Sequence, residues 1–196
     1  KEITMANKDA AFGFRPVRHL TGGLIRTNEY KIAANYGTSI FQGTPVLAVT
    51  AGGIEVADDS SGTPSVILGI FGGCFYTDPT TSKPTFSNYY PASTNASDIV
   101  AQVYDDPRIV FEVQHDGTGT AAMNFGGFDF VGKSGSTTSG RSSGELDTTS
   151  VTTSGQFKQI GISKDPNNSD TSSANCNAYV IPNVGEHSYL LTTALG

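Results

Sequence analysis

The sequence predicts an all-β fold, an antiparallel β-barrel or sandwich with long loops and an extended N-terminal arm, and three observations carry that reading. Short runs rich in β-branched and aromatic residues recur along the chain, separated by Gly-bearing turns. Helix has little room, since only "GTAAMNF" (119–125) and "SYLLTTAL" (188–195) offer short possibilities. Two connections, 77–97 and 132–155, are long, polar and without period.

Taken in order, residues 6–28 place Phe12, Phe14, Pro16 and Val17 among basic residues and glycines with neither helical nor strand period. They read as an extended arm, so residues 1–28 form a basic N-terminal arm and residues 29–196 a single β-rich domain. "YKIAA" (30–34) and "SIFQGTPVLAVT" (39–50) read as strands, and "AGG" (51–53) turns the second into "IEVAD" (54–58). "SVILGIFGGCFYT" (65–77) is a buried strand interrupted by Gly72-Gly73, the signature of a bulge or barrel corner. Residues 98–114 predict a hairpin: Ile109, Phe111 and Val113 alternate with Val110, Glu112 and Gln114, and Asp105-Asp106-Pro107 supplies the turn. "FDFV" (128–131), "QFKQIGIS" (156–163) and "NAYVIPNV" (177–184) complete the strands.

A chain of 196 residues fits one domain, or one domain with an arm, and can bury a core without staples. Charged residues make up 15%, below the roughly 25% of soluble domains, and Gly, Ser, Thr and Asn take their place. Such a surface suits extended subunit contacts. The net charge of −6 is unevenly spread: residues 1–31 hold six of the twelve basic residues against three acids, which leaves −9 on the rest. A basic segment on an acidic body suits an arm that docks on an acidic surface, its alternative being a solvated tail. The acidic body argues against nucleic-acid binding, which needs dense Lys and Arg. No apolar run reaches the length of a membrane span. Cys74 and Cys176, with no Cys-x-x-Cys and no Cys/His cluster, read as two buried thiols, the alternative being one disulfide between them. Met5-Ala6-Asn7-Lys8 reads as a natural start, with residues 1–4 as upstream sequence.

Four patterns invite a chemical reading. "GFDFVGKS" (127–134) spells the phosphate-binding P-loop, but that mechanism needs a helix opening at Lys133-Ser134, and Gly135, Gly140 and Gly144 among Ser and Thr do not nucleate one. "GRSSG" (140–144) spells a nucleophile elbow at Ser142, with Asp165 or Asp170 and then His187 following, yet the elbow belongs to a strand-to-helix turn of a parallel sheet. "DPNNSD" (165–170) has oxygen ligands at calcium-like intervals without the Gly and bidentate Glu of a calcium loop. His19, His115 and His187 lie far apart, and Asp105, Asp106 and Asp116 read as turn formers rather than an acid/base pair. The residues therefore assemble no catalytic constellation, imply no cofactor or metal, and lean toward a non-enzymatic protein.

The stretches "MANKDAAFGFRPV" (5–17), "GTSIFQGTPVLAV" (37–49), "FYTDPTTSKPTFSNYYPASTNASDIVA" (75–101), "DDPRIVFEVQ" (105–114), "SSGELD" (142–147) and "IGISKDPNN" (160–168) resemble virion structural proteins of marine tailed bacteriophages. "FQGTPVLAVTAGGIEVAD" followed by "VILGIFGG" is also similar to the small β-barrels of phage head-decoration, or cement, proteins. The resemblance implies a non-enzymatic subunit on the capsid exterior, made in the host cytoplasm. Its partners would be the major capsid protein and neighbouring copies of itself, with a homotrimer as the expected assembly, and neither nucleic acid nor membrane. The residues expected to contact partners are Phe12, Phe14, Arg15 and Arg18 in the arm, and Phe86, Tyr89 and Tyr90 in the first long loop. The alternative is a glycan- or receptor-binding module of a tail or fibre, with Tyr89 and Tyr90 stacking on sugar rings.

Overall fold

The computed structural model describes residues 6–190. Met5 as a start, residues 1–4 and most of the 188–195 segment lie outside the described residues. The strands, in chain order, are β1 (Arg15–His19), β2 (Asn28–Lys31), β3 (Ile40–Phe41), β4 (Pro45–Ala48), β5 (Ile54–Val56), β6 (Gly69–Thr77), β7 (Pro84–Ser87) and β8 (Tyr89–Tyr90). They continue with β9 (Val100–Tyr104), β10 (Ile109–Gln114), β11 (Gly127–Phe128), β12 (Phe130–Val131), β13 (Glu145–Leu146), β14 (Phe157–Ile162) and β15 (Asn177–Pro182). The fold is all-β and its strands pair antiparallel. The helical turns among the described residues are Ala121–Met123, inside the stretch expected to allow a short helix, and Val184–Glu186.

One sheet runs β1-β10-β15-β14-β11; the other runs β2-β9-β6-β4-β5, with β7 on the far half of β6. Two small ribbons, β3-β8 and β12-β13, complete the set. The arrangement is sandwich-like, not a closed barrel. Alternation along the strands explains its two cores. Val46, Phe71 and Val103 point to one side of the second sheet and pack with Ile40, Tyr90 and Ile99, while Ile70 points to the other and packs with Phe111, Phe128, Phe157 and Val180 of the first sheet. Cys74 and Cys176 are separate buried thiols, and burial pushes the Cys74 thiol up to about 12.

The bulge expected at Gly72-Gly73 is there: the β6–β9 register shifts between Phe71 and Gly73, where Gly73 takes φ of 142°. The β4–β5 hairpin also forms where "AGG" places it. Three expectations need correction. Residues 98–114 are not a hairpin, because β9 and β10 belong to different sheets and Asp105–Arg108 carries the chain between them. The corner is fixed by Asp105, which is buried and accepts hydrogen bonds from Asn28 Nδ2 (2.8 and 3.1 Å), Tyr30 Oη (2.5 Å) and Tyr189 Oη (2.8 Å). Nor are the two long connections structureless, since β7 and β8 lie in the first and β13 in the second. Finally, residues 15–19 of the expected arm form β1, hydrogen-bonded to β10 at the edge of the first sheet with a bulge between Pro16 and Arg18. Pro16 suits an edge, where its missing N–H costs no ladder bond.

Candidate interaction surface

The N-terminal segment is fastened to the domain before β1 begins. Asn7 Nδ2 donates to the carbonyls of Asp170 (2.7 Å) and Ala174 (2.8 Å), and Asn7 Oδ1 accepts from the Asp170 amide. Gln114 and Asn168 grip the next residues: both side-chain amides donate to Lys8 O (2.9 and 2.7 Å), and Gln114 Oε1 accepts from the Ala10 amide at 3.0 Å. Gln114 and Asn168 are buried, so their amides replace water at otherwise unpaired backbone groups. The chain then crosses Gly43 at very close range. Gly13 has φ of 73°, and a Cβ there would stand 2.9 Å from Gly43 O and 2.8 Å from Ser142 Cβ, so only glycine fits.

This crossing decides the fate of the aromatic residues expected at a partner interface. Phe14 is 1% exposed; it stacks on Phe157 (centroids 4.2 Å apart) and meets Phe130 edge-on. Tyr90 is also buried, its hydroxyl donating to Tyr36 O at 3.1 Å. Both are core residues of their own domain and are withdrawn as partner contacts. Tyr89 is half-buried and stacks on Phe41, which removes the paired platform that sugar stacking by Tyr89 and Tyr90 requires. Phe12 is half-buried, with the Arg15 guanidinium 4.9 Å above its ring. Arg15 also pairs with Glu112, whose buried carboxylate accepts a second bond from Ser163 Oγ at 2.6 Å. Arg18 is exposed on β1. Phe86 is 60% exposed and lies directly across from exposed Phe75 on the β6–β7 ladder.

Sequence reasoning passed over the segment that follows β1. Val17, Leu20, Leu24 and Ile25 are all exposed, Leu24 to 89%, within nine consecutive residues flanked by Arg15, Arg18 and Arg26. Four large apolar side chains this close together in sequence are left uncovered among the described residues. The signal "VRHLTGGLIR" was present in the sequence, but without period it reads as arm.

A groove opens beside the crossing. Its apolar part, about 230 Å³, is walled by Phe12, Phe14, Pro16, Phe71 and Tyr104. Its polar part, about 500 Å³, runs along Lys8, Asp165, Asn167 and Asn177. Phe12, Arg15 and Arg141 line both parts and mark where they meet.

No family model, curated protein or solved structure matches the chain.

The other motifs resolve into local structure. Lys133 of the P-loop pattern sits 3.2 Å from Asp58 Oδ1 and 3.5 Å from Asp59 Oδ1, and the Gly132 amide donates to Asp59 Oδ2. The groups that would hold a phosphate thus hold carboxylates of the same chain, and no helix follows Ser134. Ser142 is buried, its Oγ accepting from the Gly144 amide at 3.0 Å, again without a following helix. Asp165 and Asp170 accept from amides two residues on, which makes ordinary turns of "DPNNSD". Hydrogen bonds from Ser172 hold the Asp170 carboxyl below its usual range. The histidines occupy separate settings: His19 faces Asp106 at 3.1 Å, His115 lies between Cys176 O and Gln159, and His187 is buried with Nδ1 accepting from the Tyr189 amide. Among the described residues no group of three or more His, Cys, Asp or Glu could hold a metal ion, and no helix is long and apolar enough to cross a membrane.

Glu145 on β13 gives the surface a measurable pH response. Burial, reinforced by Asp9 and Asp116, pushes its carboxyl up to about 7. A raised carboxyl holds its proton more tightly folded than unfolded, so the stability it confers is complete at acidic pH and is lost as pH rises through about 7. In Glu145→Gln the fall in melting temperature between pH 5 and pH 8 should shrink, with the variant the more stable protein at pH 8. An unchanged profile would show that Glu145 is solvated like an ordinary carboxylate.

Proposed function

We propose that the chain is a non-enzymatic structural protein of a bacteriophage virion, a decoration subunit that docks on the outside of the head lattice as a homotrimer. The observation that carries the reading is the uncovered patch of residues 17–26, apolar at Val17, Leu20, Leu24 and Ile25 and basic at Arg18 and Arg26, on a chain of net charge −6. Burying such apolar area is the main source of association energy, and the arginines orient the patch toward an acidic partner. The exposed Phe75–Phe86 pair offers a second contact on another part of the molecule. Two contacts that engage neighbouring lattice subunits bind with an avidity that neither has alone, which is what cementing a shell requires. The resemblance to virion structural proteins supports the same reading.

The test is co-sedimentation with heads assembled without the protein, alongside its solution mass by light scattering. Wild-type chain should sediment with the heads and weigh as a trimer. Leu24→Asp combined with Ile25→Asp, both at exposed positions, should leave the fold intact and abolish sedimentation. Undiminished binding by that variant would remove the patch from the docking surface, and a wild-type chain that ignores the heads would overturn the decoration reading.

A further inference from the structure

We infer that the groove at Arg141 is a docking site for an acidic peptide segment of a partner protein, one carrying a single large apolar side chain beside an Asp or Glu. The inference deepens the docking reading above and rests on it.

Arg141 is presented by a loop that is stitched down. Gln42 donates its amide to Gly140 O and accepts from the Ser142 amide, each at 2.9 Å, and Ser136 N donates to Arg141 O at 2.9 Å. Gly140, at φ of 70°, lets the loop press against Asn88, where a Cβ would come within 2.8 Å of the Asn88 side chain. The backbone of Arg141 is thus fixed at the mouth of the groove. Among the described residues its guanidinium has no hydrogen-bond or ion-pair partner, whereas Arg15 across the groove is held by Glu112. With Arg15 neutralised by Glu112, Lys8 and Arg141 face one lining acid, Asp165, so the groove keeps a positive excess on a chain that is acidic as a whole. A carboxylate is the complement that a guanidinium fork binds most directly.

The apolar part names the rest of the ligand. Its walls are rings and a proline, with room for about one large side chain, and such a hole favours a hydrocarbon or aromatic group over a hydroxylated sugar ring. Phe12, the ring shared with the polar trough, already has the Arg15 guanidinium over one face, so that face is closed to a sugar. An extended peptide satisfies both parts: its apolar residue fills the hole, its carboxylate meets Arg141, and its backbone runs along Asn167 and Asn177.

The experiment is a titration of the isotope-labelled full chain, followed by amide chemical shifts. The probe is a pool of octapeptides with Leu, Ile, Met or Phe flanked on each side by two Asp or Glu. Saturable shifts at Gln42, Gly43 and Arg141 are expected, weakening with salt, and Arg141→Glu should weaken binding by roughly tenfold or more while Lys31→Glu, at an exposed position of β2, leaves it unchanged. The inference is overturned if the acidic pool gives no saturable shift, or if pools with Lys for the acids or Ser for the apolar residue bind as well. It is equally overturned if only an oligogalacturonate binds, or if the same shifts arise from self-association of the chain alone. Head co-sedimentation of Arg141→Glu separates the two proposals. Retained sedimentation with no peptide binding removes the groove and leaves the docking reading, whereas peptide binding by a wild-type chain that does not sediment removes the head lattice and leaves the groove.

Discussion

Phe14→Ala should cost about 3–5 kcal/mol of unfolding free energy, a large share of the roughly 5–15 kcal/mol of a typical domain. The ring is 1% exposed, stacked on Phe157 and edge-on to Phe130, in the core formed where the first sheet meets β6. Truncation removes the transfer energy of a whole aromatic ring and leaves a cavity between two others. The neighbouring backbone has little freedom to close it, because the Phe14 amide is tied to Gly43 O at 2.9 Å and Gly13 is wedged against Ser142. Urea denaturation should show a lower midpoint with an unchanged slope. Phe12→Ala, at a half-buried neighbour, should cost about 1 kcal/mol or less. If the two variants were equally mild, residues 12–14 would be a detachable arm after all, and the fastening by Gln114 and Asn168 would have no energetic weight.

Asp105→Ala is the second large effect, expected at about 1–3 kcal/mol. The buried carboxylate accepts from Asn28, Tyr30 and Tyr189 where the chain passes from one sheet to the other. Alanine removes the acceptor of all three; Asn28 and the Tyr189 ring are largely exposed and turn to water, so the loss falls chiefly on half-buried Tyr30 and the emptied corner, where a buried group left unpaired costs on the order of 1–3 kcal/mol. Burial, and then Asp105 itself, raises the Tyr30 hydroxyl above its ordinary range, so the phenol keeps its proton and remains a donor. Asp105→Asn keeps one acceptor oxygen and should fall between wild type and Asp105→Ala in thermal melts. A loss below about 1 kcal/mol for Asp105→Ala would mean that solvent reaches the corner and that β2 is held by its ladder with β9 alone.

Much of the strand content was legible because side-chain alternation is a local property. The runs around β4, β5, β6, β14 and β15 announce themselves by β-branched and aromatic residues between glycines, and Gly72-Gly73 marks its bulge since only a residue without Cβ fits beside Tyr104 and Phe86. The charge asymmetry was legible too, and with it the basic character of the segment that carries the apolar patch. Partner choice was not. A strand does not encode its neighbour locally, so β9 and β10 looked like a hairpin until Asp105, drawn inward by Asn28, Tyr30 and Tyr189, turned the chain into the other sheet. Phe14 and Tyr90 looked like free aromatics because the residues that cover them, Phe157, Phe130 and Tyr36, lie more than fifty positions away. Arg141 gave no signal at all inside a Ser/Gly-rich loop, and only the backbone pairing of that loop with Gln42 brings it to the lining of the groove that Phe12 shares. By itself the sequence determined which residues are extended and where charge collects, since both follow from side-chain chemistry and its period. The tertiary structure alone decided which aromatic rings are spent in the core and which groups remain at the surface for a partner, because burial depends on contacts between segments distant in sequence.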